Sequence, residues 1–141
     1  MPKSFHVGIK AVITSGDQLL LLSRMDAEGK LYWDCPGGRI DGNESIDQTL
    51  KRELKEEILN LPNHKPGPVL GAYRLPKDIE KAHSLVVIFY RITIAMFIPN
   101  LSKEHQGFAW FDAKGLSGLS QNSSPYINQG YLEMAKTALS K

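Results

Sequence analysis

The stretch that decides the fold occupies residues 36–60 and reads PGGRIDGNESIDQTLKRELKEEILN. Its second half predicts a helix that begins at Ser45 and runs to the end of the stretch, because Ser45 and Gln48 have the spacing of a capping box. Its first half places Gly37 and Gly38 where the backbone must approach another group closely or take a positive φ. The stretch therefore predicts a glycine-rich loop that leads directly into a helix.

Three carboxylates lie close together on the predicted helix. At about 100° per residue, Glu56 falls roughly 60° to one side of Glu53, and Glu57 roughly 40° to the other. An adjoining apolar arc predicts the face that packs on a sheet: Ile46, Leu50, Leu54 and Ile58. Like charges at these spacings repel, and Mg²⁺ or Mn²⁺ is the natural counter-ion for clustered oxygen ligands. The alternative for such a pattern is a solvated acidic face without a metal.

The rest of the chain combines short strand patterns with turns. Residues 7–14 and 18–22 flank a turn and predict a hairpin. The sequence predicts further strands at residues 31–33, 68–74, 84–96 and 107–111, and a C-terminal helix at residues 126–141. Strands and two helices without a regular βαβ alternation favour a mixed sheet covered by helices on its faces.

Composition narrows the class of protein. The chain has 141 residues, of which 42% are apolar and 23% are charged, as is typical of one globular domain. A net charge of +2 without a basic run gives no sign of a nucleic-acid or membrane surface. The apolar runs are of strand length, the N-terminus lacks a signal-like segment, and the single cysteine suits a reducing compartment. We therefore expect a cytoplasmic protein.

The glycine loop and acidic helix together resemble the Nudix box, G-x5-E-x7-R-E-U-x-E-E-x-G-U, where U is a bulky apolar residue. The matching positions are Gly38, Glu44, Arg52, Glu53, Leu54, Glu56 and Glu57. The resemblance covers about residues 5–112, including residues 33–38 ahead of the box and Glu104 ahead of a late strand. It implies a Nudix hydrolase of the MutT type. The implied fold is an α/β/α sandwich of the α+β or α/β class, with a mixed β-sheet between helices. The domain would span residues 1–141, with the box at about 38–60.

The box departs from the family pattern at its end. Leu59 stands where the family has glycine, and Asn60 where it has an apolar residue. The glycine normally supplies a left-handed helix terminator, and asparagine is the next residue suited to that conformation. We therefore expect the helix to run one residue further and stop at Asn60, with Leu61 as an apolar plug.

The resemblance also implies roles for individual residues. The expected ligands of Mg²⁺ or Mn²⁺ are Glu53, Glu56, Glu57 and a backbone carbonyl of Gly37 or Gly38. Glu53 or Glu57 alternatively accepts the proton of the attacking water. Arg52 is expected to orient Glu53, and Glu44 to hold Arg52 and the loop. Glu104 is similar to a late acidic residue that binds a further metal or serves as base in some members, with a solvated loop charge as its equal alternative.

Such a site implies hydrolysis of the diphosphate linkage in a nucleoside diphosphate joined to another moiety, such as ADP-ribose or a nucleotide sugar. Two alternatives stay open. One is a house-cleaning nucleoside triphosphate pyrophosphohydrolase, and the other is a non-catalytic nucleotide-binding module. The expected partner is a small-molecule nucleotide, with no nucleic acid and no membrane, and a homodimer stays open.

Residues outside the box are expected to set specificity. Rings stack on bases and an amide reads base edges, although ordinary packing is the commoner role of such residues. The candidates for contact with the substrate are Phe5, Tyr32, Trp33, Trp110 and Asn128, together with Gly37 and Gly38. Pro76 lies at a spacing found in some ADP-ribose-cleaving members. Cys35 is expected to be a small packed residue.

Overall fold

The computed structural model of the chain describes residues 4–65, 67–75, 83–121 and 129–139. Within these ranges the backbone forms strands β1 (Ser4–Ser15), β2 (Gln18–Met25), β3 (Leu31–Asp34), β4 (Gly37–Arg39), β5 (Val69–Arg74), β6 (His83–Thr93) and β7 (Gly107–Phe111). The helices are α1 (Ile46–Glu57), α2 (Ala113–Ser117) and α3 (Gln129–Lys136). Short 3-10 turns follow α2 at Gly118–Gln121 and α3 at Thr137–Leu139. None of these helices has the length and apolar character needed to cross a membrane.

One mixed sheet is built around β1. The strand order is β3-β2-β1-β6-β5, with β4 also paired to β1 and β7 also paired to β2. Strand β1 runs parallel to β6, while its pairs with β2 and β4 are antiparallel. The pairs of β2 with β3 and β7, and of β5 with β6, are antiparallel as well. The mixed sheet predicted from the sequence is therefore confirmed.

Two hydrophobic cores lie on opposite faces of the sheet. Along β2, Leu19 and Leu21 belong to the core that includes residues of α2 and α3, whereas Leu20 and Leu22 belong to the core that includes residues of α1. All four leucines are fully buried. Because side chains of a strand alternate between faces, four consecutive buried leucines require that both faces be covered. The predicted sandwich of helices around a sheet is confirmed.

Helix α1 begins as predicted and ends earlier than predicted. The Ser45 side chain accepts from Gln48 N, and the Gln48 side chain accepts from Ser45 N, which completes the capping box. The helix ends at Glu57, and Ile58 is already extended, with φ −121° and ψ 103°. The expected extension to Asn60 is thus wrong. The reason is tertiary: Ile58 forms a β-bridge with Leu101, so strand-like pairing replaces the last turn.

Other elements also differ from the sequence predictions. Strand β6 stops at Thr93 rather than continuing to residue 96, and residues 37–39 form the short strand β4 rather than only ending β3. Helix α2 is absent from the sequence predictions. Asp112 caps it by accepting from Gly115 N at 2.8 Å. The C-terminal helix is described from Gln129 to Lys136, and residues 126–128 and 140–141 of the predicted helix lie outside the described ranges.

Candidate active site

Gly37 and Gly38 bring the backbone of β4 directly against β1 and α1. Gly37 has a φ of 140°, and a Cβ there would lie 2.1 Å from the Ile9 carbonyl oxygen. A Cβ on Gly38 would lie 2.3 Å from Cδ of Glu53. Gly37 N donates to Oε2 of Glu57 at 2.7 Å. The glycines therefore allow the loop backbone to contact two carboxylates of α1.

Arg52 joins the loop to the acidic edge of α1. Its Nε and Nη2 donate to the two carboxylate oxygens of Glu44 at 2.7 and 2.9 Å, and its Nη1 donates to Oε1 of Glu53 at 2.8 Å. Nη2 also donates to the carbonyl oxygen of Arg39 at 3.3 Å. The hydrogen bonds from Arg52 outweigh partial burial and lower the pKa of Glu44 from 4.5 to about 2. Arg52 is thus fixed by a carboxylate that stays ionised, and it holds one oxygen of Glu53.

The three glutamates of the acidic edge differ in burial. The side chain of Glu57 is 4% exposed, that of Glu53 is 17% exposed and that of Glu56 is 54% exposed. Burial raises the pKa of Glu53, the Arg52 hydrogen bond opposes this, and the neighbouring charges of Glu57 and Glu56 add to it. A carboxylate with a raised pKa is a better proton acceptor than an exposed one. The edge therefore runs from a deeply held carboxylate to a solvated one.

Glu57 lies at the centre of a second group of ligand-type side chains. His105 Nε2 lies 3.2 Å from Oε1 of Glu57, and the two side chains are 2% and 4% exposed. One ligand atom from each of Glu57, Glu104 and His105 lies within 4.8 Å of the others. Glu104 itself is exposed. The backbone also links the two segments, since Ser102 N donates to the Glu57 carbonyl oxygen at 3.0 Å.

A buried ion pair lies beside the carboxylate group. Lys10 Nζ donates to Oδ2 of Asp34 at 2.9 Å and to the carbonyl oxygen of Cys35 at 3.2 Å, and the Tyr131 hydroxyl donates to Oδ1 of Asp34. Burial lowers the pKa of Lys10, but the carboxylates of Asp34 and Glu57 outweigh it, so the pKa is raised. The Lys10 ammonium is therefore charged, and it is attracted by Asp34 and by Glu57.

A cavity of about 490 Å³ is lined by the three glutamates of the acidic edge together with Glu104, Lys10 and Asp34. Its charged lining residues are Asp34, Glu53, Glu56, Glu57 and Glu104 on the acidic side, and Lys10, Arg24 and Arg39 on the basic side. Its uncharged lining residues are Gly8, Tyr32, Gly37, Gly38, Leu75, Leu85, Val87 and Tyr131. Among the described residues, five acidic groups against three basic ones make the cavity lining anionic, which disfavours an anionic ligand unless cations bind with it. The volume lies within the usual range for small-molecule sites.

The donor set of this cavity fits a hard divalent cation. Glu53, Glu57 and Glu104 supply carboxylate oxygens, the ligands that Mg²⁺ and Mn²⁺ prefer. The Gly38 backbone lies so close to the Glu53 carboxylate that a methyl group would fill the space between them. Among the described lining residues the basic side chains of Lys10, Arg24 and Arg39 are fewer than the acidic ones, and Lys10 is already paired with Asp34. The residues present therefore fit the metal that the sequence predicts.

The predicted specificity residues are not all at the cavity. Tyr32 lines it, whereas the ring of Trp33 packs edge-on against Phe111 with centroids 5.2 Å apart. The ring of Trp110 packs edge-on against Phe97 at 5.9 Å, in the other core. Neither tryptophan is among the lining residues. Phe5 is 47% exposed and lies beneath the guanidinium of Arg74. Asn128 and Pro76 lie outside the described ranges.

Several residues of the site are absent from the sequence predictions, among them Lys10, Asp34, His105 and Tyr131. Lys10 carries the clearest available signal, since it is a charged residue in the middle of an apolar strand. Asp34 and Tyr131 are 97 positions apart and meet only through the sheet and α3. His105 follows Glu104 directly, but nothing local indicates that it faces Glu57.

Comparisons with known proteins agree with this architecture. A family profile described as the NUDIX domain matches residues 4–129. The chain is 28% identical over 83 residues to an ADP-ribose pyrophosphatase of Methanocaldococcus jannaschii, covering 59% of this chain and 48% of that protein. It is 30% identical over 57 residues to an 8-oxo-dGTP diphosphatase of Proteus vulgaris. This match covers 40% of this chain and 51% of that protein. The chain thus spans about half the length of these relatives.

A solved structure extends the comparison to the whole fold. The crystal structure of a MutT protein from Methanosarcina mazei superposes with a TM-score of 0.76 at 22% identity, covering 100% of this chain and 99% of that one. At this level of identity the match establishes the fold. Activity depends on the cavity and its residues rather than on the fold.

Proposed function

The chain belongs to the Nudix family, and from this premise we propose that its domain, residues 1–141, hydrolyses the diphosphate linkage of a small-molecule nucleotide with Mg²⁺ or Mn²⁺. The proposed substrate is a nucleoside diphosphate joined to another moiety, with ADP-ribose or a nucleotide sugar as the first candidates. The products are then two fragments that each carry phosphate.

One observation carries the proposal. The carboxylates of Glu53, Glu56 and Glu57 line one cavity together with the backbone of Gly37 and Gly38. A solvated acidic face would leave all three carboxylates exposed. Instead Glu57 is 4% exposed and takes a hydrogen bond from Gly37 N. Lys10 offsets part of this charge but is already paired with Asp34, so three neighbouring carboxylates still favour the binding of a further cation.

In the proposed mechanism Glu53, Glu56 and Glu57 hold the metal, with a carbonyl oxygen of Gly37 or Gly38 and with Glu104 as further ligands. A divalent ion held there would supply polarisation of the phosphoryl oxygens and would offset the charge that builds on them. The reaction breaks one P–O bond of the anhydride, and the oxygen of one water molecule completes the phosphate that is released.

The chain's own residues account for the proton and for orientation. Water that attacks phosphorus must lose a proton, and Glu53 or Glu57 accepts it. Glu53 has the raised pKa, and Arg52 fixes one of its oxygens. Glu44 in turn fixes Arg52 through two hydrogen bonds, so the guanidinium has little freedom to rotate. We therefore assign Arg52 and Glu44 as positioning residues of the proposed reaction.

The remaining lining residues suit the organic part of the substrate. Tyr32 offers a ring, Leu75 and Val87 offer buried apolar surface, and Asp34 with Lys10 offers an acceptor beside a donor. Such a mixture binds a sugar or base by one polar pair and several apolar contacts.

A second candidate is the pyrophosphohydrolysis of a nucleoside triphosphate to a monophosphate and pyrophosphate. The observation that favours it is the 30% identity to an 8-oxo-dGTP diphosphatase. The same carboxylates serve this reaction, since a triphosphate presents the same anhydride to the metal.

A substrate panel tests the proposal. ADP-ribose, nucleotide sugars and a set of triphosphates that includes 8-oxo-dGTP are incubated with the protein and Mg²⁺ or Mn²⁺, and products are separated by chromatography. The expected result is metal-dependent cleavage of ADP-ribose or a nucleotide sugar with the highest kcat/KM. Faster turnover of a triphosphate would favour the second candidate. Nucleotide binding without turnover of any member would overturn both and leave a binding module.

A further inference from the structure

We propose that His105 is a positioning residue that holds Glu57 in place by donating a hydrogen bond from Nε2 to Oε1. The inference rests on the proposed function, because the carboxylate it positions is one of the proposed metal ligands. His105 lies in the turn before β7. It is 48 positions from Glu57 along the chain.

The contact is a buried one between two nearly inaccessible side chains. The His105 side chain is 2% exposed, the Glu57 side chain is 4% exposed, and Nε2 and Oε1 are 3.2 Å apart. The other carboxylate oxygen of Glu57 accepts from Gly37 N at 2.7 Å. Two donors on different elements therefore fix the two oxygens, which leaves the carboxylate group little freedom to rotate.

The surroundings of the imidazole identify the tautomer. Nδ1 is buried and has no hydrogen-bond partner among the described residues. A buried N–H without an acceptor is more costly than a buried acceptor without a donor. A carboxylate oxygen only accepts hydrogen bonds, so the 3.2 Å contact with Oε1 of Glu57 likewise places a proton on Nε2. This arrangement makes His105 a donor to Glu57 rather than a metal ligand through Nε2, because a ligating nitrogen carries no proton.

Three variants separate hydrogen bonding from packing. His105→Gln places an amide N–H₂ at the same distance along the side chain as Nε2. His105→Asn places the same amide one methylene short, where Nδ1 stands, and His105→Phe keeps the ring shape without a donor. Groups that orient metal ligands typically contribute 10- to 100-fold to metal affinity or activity. We expect Mn²⁺ affinity to fall about 10- to 100-fold in the Asn and Phe variants and about threefold or less in the Gln variant.

Two measurements decide the matter. The first is the Mn²⁺ dissociation constant of each variant by titration calorimetry, with circular dichroism melts to show that the variant is folded. The second is long-range ¹H–¹⁵N NMR of the wild-type imidazole at about pH 8, where histidine is ordinarily neutral, without metal and with Mg²⁺. The expected spectrum shows the proton on Nε2 in both states.

The outcomes distinguish this inference from the proposed function. A proton on Nδ1 with none on Nε2 would overturn it, and so would a folded Phe variant that binds Mn²⁺ as tightly as the wild type. Loss of the Nε2 proton on addition of Mg²⁺ would make His105 a metal ligand instead. If the wild type bound no metal and cleaved no substrate, the proposed function would fail. The tautomer of the metal-free protein would still decide whether His105 donates to Glu57.

Discussion

Gly38→Ala would move the Glu53 carboxylate with little effect on the fold. A Cβ at this position meets Cδ, Oε1 and Oε2 of Glu53 at 2.3, 2.4 and 2.6 Å. The φ of Gly38 lies outside the left-handed region, so the backbone accepts an alanine. The nearest atoms belong to the far end of a side chain, so Glu53 can move while the strand stays where it is.

The size of the effect follows from the distance that Glu53 must travel. Cδ has to retreat by about 1 Å to reach ordinary van der Waals contact, and this breaks or lengthens its 2.8 Å hydrogen bond from Arg52. A misplacement of about 1 Å in a reacting group costs on the order of 100-fold in rate. We therefore expect kcat/KM to fall about 100-fold, with a melting temperature within about 3 °C of the wild type.

The assay compares metal-dependent product release and thermal melts across three glycine variants. Gly37→Ala is expected to destabilise the fold, because its Cβ would lie 2.1 Å from the backbone oxygen of Ile9 and its φ of 140° is strained for alanine. Gly118→Ala is the matched control, since nothing lies within 4 Å of its Cβ and its φ of −71° is helical. A folded Gly38→Ala protein with unchanged kcat/KM would refute the reasoning.

Three further changes test the electrostatics of the site. Arg52 lowers the pKa of Glu44 to about 2, so this carboxylate adds stability above its ordinary pKa of 4.5 that is lost as the pH falls toward 2. The free energy of unfolding of the wild type should therefore exceed that of Glu44→Gln at about pH 6, and the difference should be smaller at about pH 3. Urea melts that give the same difference at both pH values would contradict this. Lys10→Met leaves Asp34 buried without its cation and should lower the free energy of unfolding by about 3 kcal/mol. Adding Asp34→Asn should restore at least half of that loss. If urea melts showed no recovery in the double variant, the ion pair would not be the cause. Burial raises the pKa of Cys35 to about 12, so a thiol-specific disulfide reagent should react only after denaturant is added, and rapid labelling of the native protein would contradict its packing.

Local rules account for what the sequence predicts well. The capping box that starts α1 depends on residues three positions apart, and the buried face of α1 depends on helical periodicity. The hairpin of β1 and β2 needs only a turn between apolar runs. The glycine pair and the acidic edge are contiguous in the chain, so their meeting at one cavity also follows from local structure.

Contacts between distant segments account for what the sequence does not predict. Asn60 is expected to terminate α1, but its side chain instead accepts from Asn100 N and donates to the Ile98 carbonyl oxygen. These hydrogen bonds join the segment after Glu57 to residues about 40 positions away, where Ile58 also forms its β-bridge with Leu101. No pattern within the box indicates it.

The buried ion pair is a second case of the same kind. Lys10 and Asp34 lie on strands that are not paired with each other, and they form an ion pair. Tyr131 of α3 donates its hydroxyl hydrogen bond to Asp34. A lysine in a buried strand signals that a carboxylate lies nearby. The identity of that partner depends on the sheet order, which the sequence does not specify.

Glu57→Gln tests the central claim most directly, because Glu57 is the most deeply held of the three box carboxylates. The glutamine oxygen can still accept from Gly37 N, while its amide N–H₂ replaces Oε1 beside His105 and the negative charge offered to a metal is lost; a thermal melt checks that the variant is folded. Glu133→Gln on the exposed side of α3 serves as the control. With ADP-ribose and the substrate panel, we expect metal-dependent kcat/KM of Glu57→Gln to fall by at least about 100-fold and that of the control to stay unchanged. A folded Glu57→Gln protein that keeps wild-type metal-dependent turnover would contradict the account.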